Sequence, residues 1–446
     1  MTQDAPGDRA PIRDQRLRRG LAWLRGGRPD LALPLLRTMQ ENQPGDPLVT
    51  LALATALLRN QNPDAALAAF DSLLTDHPEH TGALLGRGLC LHAAGDVPGA
   101  LDAFRCSVAA DPLSWRCWQS IADTTPHEDE RVHALEGAAD ALVVRCQAPS
   151  PPASLLAALT TALIDARQPG TAARILEPRT ASDRPDPVLL RARARALYHA
   201  GAYDAAFVEA ARLWHAIQAS PPANPSTRPF SPAHATDVLI EIRSLLSAAG
   251  VDTFLVAGTL LGFHRHGAPL AHDRDIDLGV VRTSAGGPDI AGILRAAPGM
   301  LLPRIARPGD RYFGLMHKGV AIDIFVHEKS GQHIFAGVSH TPGDLRWRFS
   351  DFGLIPARYA GQTWSIPSDP GRYLAESYGQ GWRSPDTAFA SAVSSPALYD
   401  TSPHVRGYYA VMRAIRALSS GDSVKAAALI AASPVPLPPH DTQPTD

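Results

Sequence analysis

Asp273, Asp275 and Asp277 occupy alternate positions in the run DRDIDLGVV, shortly after the turn Ala257-Gly258-Thr259. On a strand, alternate residues share a face, so three carboxylates would line one side while Arg274, Ile276 and Leu278 point to the other. Like charges so spaced repel unless a divalent cation neutralises them. Mg²⁺ is held by one or two carboxylates together with substrate phosphates. A glycine between strand and helix lets the backbone approach a phosphate, and the helix N-terminus favours its charge. A fourth carboxylate, Asp323, interrupts the apolar run VAIDIFV. Buried alone it would be costly, so the pattern asks for a cation or a hydrogen-bond donor beside it. The blander readings are a solvated acidic edge strand for 273–277 and an ion pair to Arg311 or Lys318 for Asp323.

Arg265 is the nearest candidate to hold phosphate charge, because its planar fork binds oxyanions bidentately. Its alternative is a surface ion pair. His272 is placed to accept a proton from an attacking hydroxyl, or else to pack or cap. His264, His266 and His272 raise a zinc reading, but their spacing straddles a loop and carboxylate oxygens dominate, which favours a hard cation. Trp364, Tyr378 and Trp382 are candidates for an aromatic cage around a quaternary ammonium, against ordinary core packing.

The elements that would position these groups follow from periodicity. Apolar residues at helical spacing predict a helix over 236–249, closed by Gly250. Residues 251–256 read as a strand, 260–264 as a short helix and 273–280 as a second strand. Residues 311–317 and 320–326 read as a hairpin around Lys318-Gly319. Further on, 404–418 and 423–432 read as a helical pair around Gly421-Asp422.

The order Gly258-Thr259-Leu260-Leu261-Gly262, Arg265-His266-Gly267, Asp273-Arg274-Asp275-Ile276-Asp277 and Ala321-Ile322-Asp323-Ile324-Phe325 resembles the LicD and fukutin group of phosphotransferases. So does the later string from Ile366-Pro367 through Arg372-Tyr373-Leu374 and Tyr378-Gly379-Gln380-Gly381-Trp382 to Pro385. The resemblance implies a nucleotidyltransferase-type fold and transfer of a substituted phosphate, phosphocholine- or polyol-phosphate-like, from a CDP-linked donor. The acceptor it implies is a sugar hydroxyl of a surface glycan or lipopolysaccharide precursor. It also implies that Gly258 and Thr259 contact donor phosphates and that Asp275, Asp277 and Asp323 ligate two Mg²⁺ (or Mn²⁺) ions. The group usually carries Trp at the position of His272 and Asp at that of Arg274. Those departures keep two alternatives in view: a binding scaffold with a degenerate transferase domain, and nucleotidyl transfer to a protein or RNA.

The N-terminal half carries a different signal. Pro44, Pro78 and Pro112 are 34 residues apart, as are Ala32, Ala66 and Ala100, and Leu36, Phe70 and Phe104. This period and these residue types resemble the tetratricopeptide repeat. Three units cover about 13–113. A fourth starts near Ser114-Trp115, and degenerate helical stretches continue to 218. Such an array offers a surface for a protein partner, or serves as a platform. Residues 219–233 hold five prolines and mark a linker.

The expected architecture is thus multidomain: a tail 1–12, an all-α tetratricopeptide-like solenoid 13–218 and the Pro-rich linker 219–233. An α+β nucleotidyltransferase-fold domain with a small mixed sheet follows over 234–400. A helical pair (401–432) and a disordered tail (433–446) complete it. The 42 basic and 44 acidic residues give a net charge of −2, so no nucleic-acid partner is expected. Abundant Ala, Arg and Pro with scarce Lys fit a high-GC bacterial coding bias. No run suits a signal peptide or membrane span, so the expected location is cytoplasmic. Cys90, Cys106, Cys117 and Cys146 lack metal-site spacing and read as small buried residues.

Overall fold

A computed structural model describes residues 9–182, 185–219, 230–271, 273, 275–282, 287–386 and 389–439. Its chain contacts divide it into two compact units, 1–151 and 152–446. The division falls inside what the sequence reads as one continuous array.

Among the described residues, the first unit has eight helices: α1 (Arg9–Arg25), α2 (Pro29–Asn42), α3 (Pro47–Arg59), α4 (Pro63–Asp76), α5 (Thr81–Ala93), α6 (Val97–Ala110), α7 (Trp115–Thr124) and α8 (Glu128–Arg145). The side chains of Asp46, Asn62 and Asp96 cap the N-termini of α3, α4 and α6, each helix with a proline in its first turn. The 34-residue period is the packing period. Ala32, Ala66 and Ala100 are fully buried, as are Leu36, Phe70 and Phe104. Close approach explains two glycines. A Cβ at Gly86 would lie 2.1 Å from the Phe70 ring, and one at Gly88 2.3 Å from the Phe104 ring. Cys90, Cys117 and Cys146 are buried as expected, but Cys106 is exposed, on the outer face of α6.

The second unit opens with four more helices: α9 (Ala153–Asp165), α10 (Pro169–Thr180), α11 (Pro187–His199) and α12 (Tyr203–Ala219). Then come α13 (Pro232–Ala248), β1 (Thr253–Leu255), α14 (Ala257–His266), β2 (Asp275–Arg282), α15 (Ile290–Ala296) and β3 (Met300–Leu301). The next strands are β4 (Tyr312–His317), β5 (Val320–Ser330), β6 (His333–Gly337), β7 (Arg346–Ser350), β8 (Leu354–Tyr359) and β9 (Gln362–Pro367). Helices α16 (Pro370–Tyr378), α17 (Ser391–Ser394), α18 (Pro403–Ser419) and α19 (Ser423–Ala431) complete it.

The main sheet is mixed, in the order β1-β2-β5-β4-β3, with β6 on the far part of β5 and β7 beyond it. Strands β2 and β5 are parallel; β1–β2, β4–β5 and β5–β6 are antiparallel. The β4–β5 hairpin forms where the sequence places it. Lys318 and Gly319 both have positive φ (48° and 81°), as a tight two-residue hairpin turn requires. Strands β8 and β9 form a separate ribbon.

Helices α9–α12 are fastened to the sheet-bearing part. Arg307 donates to the Asp165 carbonyl at 2.8 Å, and Arg167 pairs with Asp310 at 2.8 Å. The Tyr198 hydroxyl donates to Asp344, which also accepts from Ser339. Helices α12 and α18 cross closely at Gly407, where a Cβ would lie 2.8 Å from the Phe207 ring. Residues 433–439, expected to be part of a disordered tail, are ordered enough that the Pro438 carbonyl lies 3.2 Å from His215 Nε2. The core of the linker (220–229) and the ends 1–8 and 440–446 lie outside the described residues.

Candidate functional site

The parallel register of β2 and β5 sets Asp277 directly beside Asp323. Neighbouring strands lie about 4.8 Å apart, so the backbone itself brings these two carboxylates together. Asp275 is one step along the same face of β2, and Asp273 precedes the strand.

Each carboxylate of the central pair is held. Gly258 and Thr259 donate their backbone N–H groups to Asp277 Oδ2 at 2.9 and 3.3 Å. Thr259 Oγ1 accepts the Asp277 N–H at 2.7 Å, closing the loop between α14 and β2. The sharp entry into α14 places Ala257 at φ 45°, a left-handed conformation uncommon outside glycine. Gly258 is needed for proximity: a Cβ there would stand 3.2 Å from both Asp273 Oδ2 and Asp277 Oδ2. On the other side, the Tyr312 hydroxyl donates to Asp323 Oδ1 at 2.7 Å. It reaches across Gly314, whose missing side chain leaves 2.5 Å from the Cβ position to the Tyr312 oxygen.

Burial raises all four carboxyls, and repulsion from neighbouring carboxylates adds to the rise at Asp273, Asp277 and Asp323. Asp277 is pushed well above the usual carboxylate range by burial, then by Asp275, Asp323 and Asp273. Asp273 is raised to about 7 by burial and by Asp275, and Asp323 to about 6 by burial, with Tyr312 opposing. Asp275 is raised by burial, with Arg413 and Arg416 opposing. Tyr378 also faces the cluster: burial raises its hydroxyl, and the charges of Asp277, Asp273 and Asp275 add to the rise.

Several expectations change. The Gly258 and Thr259 amides, assigned by resemblance to donor phosphates, point at Asp277; the carboxylate takes the helix N-terminus that a phosphate would have used. Arg265 donates Nη2 to the Trp382 carbonyl and, at 3.1 Å, to the Ser384 carbonyl, so it braces α14 against the 382–384 loop. Asp323 pairs with neither Arg311 nor Lys318, which are bound to Glu328 and Glu241. Trp364 and Trp382 are core residues (2% and 4% exposed), Trp364 under the Arg243 guanidinium and Trp382 against His264. His272 and Arg274 lie outside the described residues.

Among the described residues, no group of three or more His, Cys, Asp and Glu side chains is arranged to hold a metal ion. The three carboxylates expected to form a cage, Asp275, Asp277 and Asp323, are not drawn together as one in this structure, where Asp277 Oδ2 and Asp323 Oδ1 accept protein hydrogen bonds. The donor chemistry still suits a hard cation. The candidate groups are all oxygens, and crowded carboxylates of this kind are what a divalent ion would relieve. Mg²⁺ needs only one or two of them beside a phosphate.

Four further residues belong to the site, none of them marked by the sequence reading as catalytic or ligand-binding. Tyr312 holds Asp323. Arg413 and Arg416 on α18 act electrostatically on Asp275, and Lys425 on α19 acts on Asp273. Tyr312 had a sequence signal, a tyrosine two residues before a glycine that pairs with Asp323. The basic residues had only their i,i+3 spacing on an amphipathic helix, and nothing local says which surface that helix meets.

Comparison with known families agrees with this geometry. A tetratricopeptide repeat model matches residues 51–114, and the LicD/FKTN/FKRP nucleotidyltransferase domain model matches residues 250–290. The second match spans β1, α14 and β2 and stops short of Asp323. The chain is thus similar to tetratricopeptide repeats over 51–114 and to the LicD-type domain over 250–290. No curated protein matches the chain. Similar solved structures include PilW, a type IV pilus biogenesis factor (15% identity, 47% of this chain and 96% of that one, TM-score 0.34). Another is PilF of Pseudomonas aeruginosa (16%, 48% and 95%, 0.32). A tetratricopeptide repeat protein from Parabacteroides merdae gives 15%, 47% and 81%, with a TM-score of 0.30. Among the described residues, no helix is long and apolar enough to cross a membrane.

Proposed function

We propose that the protein is a Mg²⁺-dependent phosphotransferase. It moves a substituted phosphate from a CDP-linked donor to a sugar hydroxyl of a surface glycan or lipopolysaccharide precursor. The observation that carries this reading is the in-register pair Asp277 and Asp323, each fixed by its own donor, within a unit whose 250–290 segment matches the LicD domain. The front repeats serve to recruit a protein partner, as tetratricopeptide arrays commonly present such a surface.

The chain's own residues have distinct tasks. The α14 amides prevent Asp277 from rotating, so its second oxygen keeps one direction. Tyr312 does the same for Asp323. Asp275 and Asp273 add the charge that draws in a cation. A divalent ion bound there neutralises diphosphate charge and acidifies the acceptor hydroxyl. Tyr378 closes the apolar side of the cluster and limits water.

The test is thermal shift of the full chain with CTP, CDP-choline, CDP-ribitol and CDP-glycerol, with and without Mg²⁺, on wild type and Asp275→Ala. A ligand at about a hundred times its Kd stabilises by about 2.7 kcal/mol. The expected result is a Mg²⁺-dependent shift with one CDP conjugate, lost in the variant. If no nucleotide shifts the wild type at saturating concentration, the transferase reading fails.

A further inference from the structure

We infer that the outer face of the far end of the sheet, built by β6, β7 and residues 397–399, is an exosite for an anionic glycan chain, whose carboxylate or phosphate groups are taken by Arg346 and Arg348. The inference rests on the glycan-acceptor reading above and says where a long acceptor is gripped outside the carboxylate cluster.

The first argument is placement. Residues 397–399 run antiparallel to β7: the Arg348 N–H donates to the Ala397 carbonyl and the Tyr399 N–H to the Arg346 carbonyl, both at 2.9 Å. Alternation along β7 sends Trp347 and Phe349 to one face and Arg346 and Arg348 to the other. Trp347 meets the ring of Phe325, which shares its face of β5 with Asp323. The arginines therefore lie on the face away from the carboxylates. Arg348 is two strands over from β5 and level with Glu328. Strand geometry puts it about 20 Å from Asp323.

The second argument is how the two guanidiniums are held. Arg346 lies over the Phe335 ring at 4.2 Å and stands 5.7 Å from the Tyr399 ring, and Arg348 lies over Tyr399 at 4.3 Å. The Phe335 and Tyr399 rings are 5.7 Å apart, so cations and rings alternate across the face. Among the described residues, neither guanidinium has a hydrogen bond or ion pair, and Arg346 Nε is buried with no hydrogen-bond partner. Stacking fixes the plane of each fork while its outer N–H edge stays unused. Acids on adjoining segments are committed elsewhere: Glu328 to Arg282 and Arg311, Asp351 to Lys329. Asp400 lines a cavity with Leu398 and Ser402 that includes neither arginine. Arg348 and Tyr399 are exposed.

The third argument selects the occupant by charge and by what the face lacks. Two forks at alternate positions of one strand are about 7 Å apart, which suits a chain with repeated oxyanions. Nucleic acid fits poorly. The two rings already carry guanidiniums and offer no free platform for bases, and a net charge of −2 gives no extended basic field. A peptide adding as a strand fits poorly too, because residues 397–399 already occupy the edge of β7. An acidic glycan needs neither. Its carboxylates or phosphates take the forks bidentately, and its hydroxyls can bond the exposed Tyr399 phenol.

The experiment titrates the full chain, without divalent cation, against two labelled probes, a galacturonate octamer and a glycerol-phosphate octamer. Maltooctaose, octaglutamate and an oligothymidylate octamer are the competitors. At least one anionic glycan should bind, which identifies the anion, and neutral maltooctaose should not compete. Arg346→Gln/Arg348→Gln should weaken that binding at least tenfold, the loss of charge-assisted bonds. Arg346→Lys/Arg348→Lys should recover less than half of it, since an ammonium keeps the charge without the fork. Arg348→Gln alone, at an exposed position, should show part of the loss even if the glutamine pair fails to fold. Asp277→Asn should bind like wild type, as should Arg358→Gln, which alters an exposed arginine on β8. The inference is overturned if neither anionic glycan binds or if Arg348→Gln and the folded pair bind like wild type. It is equally overturned if Arg358→Gln loses as much, or if octaglutamate or the oligothymidylate competes as well as the glycan. Thermal shift with the CDP conjugates is independent of every arm, so the exosite and the transferase reading fail separately.

Discussion

The two helical stretches of this chain start from similar sequence material and end differently. In α1–α8 the 34-residue period survives, and small residues meet large ones: Gly86 against Phe70, Gly88 against Phe104. In α9–α12 the period has drifted, and the positions that drifted are those with new neighbours. Tyr198 bonds Asp344, Tyr203 packs beside Gly343, Phe207 lies against Gly407, and Arg167 pairs with Asp310. A repeat keeps its period while each unit contacts only its like. Once a helix must fit a sheet and a different helical pair, the spacing is free to change. Loss of periodicity here records a change of partner, with the helices themselves intact.

That contrast assigns stability to one region and chemistry to the other, and it can be broken. The largest expected effect is on catalysis. Asp277→Asn should lower transferase activity by about 10²–10³-fold or more, as loss of a central electrostatic group does. Measured without divalent cation, the same variant should melt higher than wild type, because a repelled, buried carboxyl is removed. Gly88→Val should do the reverse. Its new side chain meets the Phe104 ring, so denaturant unfolding should show a loss of about 3 kcal/mol, with activity per folded molecule unchanged. If Gly88→Val abolishes activity in folded protein, the division is wrong.

Tyr198→Phe tests the junction within the second unit. It removes one donor from buried Asp344 and frees Tyr409, so a loss of about 1–2 kcal/mol is expected. An unchanged denaturant midpoint in Tyr198→Phe would show that this junction is fixed by packing alone.

The smallest effect is a pH slope. Asp273 sits at about 7 in the folded protein against about 4 unfolded. The folded state therefore holds its proton more tightly, and the stability this gives is present below about pH 4 and lost as pH rises to about 7. Asp323, at about 6, adds to the same slope. Melting temperature in chelator should fall between pH 5 and 8 more steeply than with saturating Mg²⁺, which should release protons as it binds. Matching slopes in the two conditions would sink the idea that these carboxyls meet a cation.

Much of this was legible in the sequence because the signals are local. The alternation Asp273, Asp275, Asp277, the Lys318-Gly319 turn and the glycine at 258 each act within a few residues. The isolation of Asp323 in an apolar strand signals that it needs a partner; that it lies beside Asp277 is set by strand register, which no local pattern carries. No strand is expected after Ser330, although β7 (Arg-Trp-Arg-Phe-Ser) alternates polar and apolar residues: β6–β9 span five or six residues each, too short for alternation to stand out. The partners that Arg265 and the Gly258 amide have in this structure are not legible, because hydrogen bonds to remote carbonyls and carboxylates carry no local pattern. Arg413 and Arg416 were invisible as site residues for the same reason: they lie more than 130 residues beyond Asp275 along the chain.

The Asp277–Asp323 pairing has a consequence for how the chain can be altered. Because the two carboxylates meet through strand register, their geometry is written in residue count. One residue added or removed between Lys318 and Asp323 would carry Asp323 to the opposite face of the sheet, with every side chain around it unchanged in kind. The hairpin is therefore a ruler. Its composition can be edited within the limits of packing, whereas its length between turn and aspartate cannot, and an indel scan across 318–323 should show the sharpest boundary between tolerated and lethal changes anywhere in the second unit.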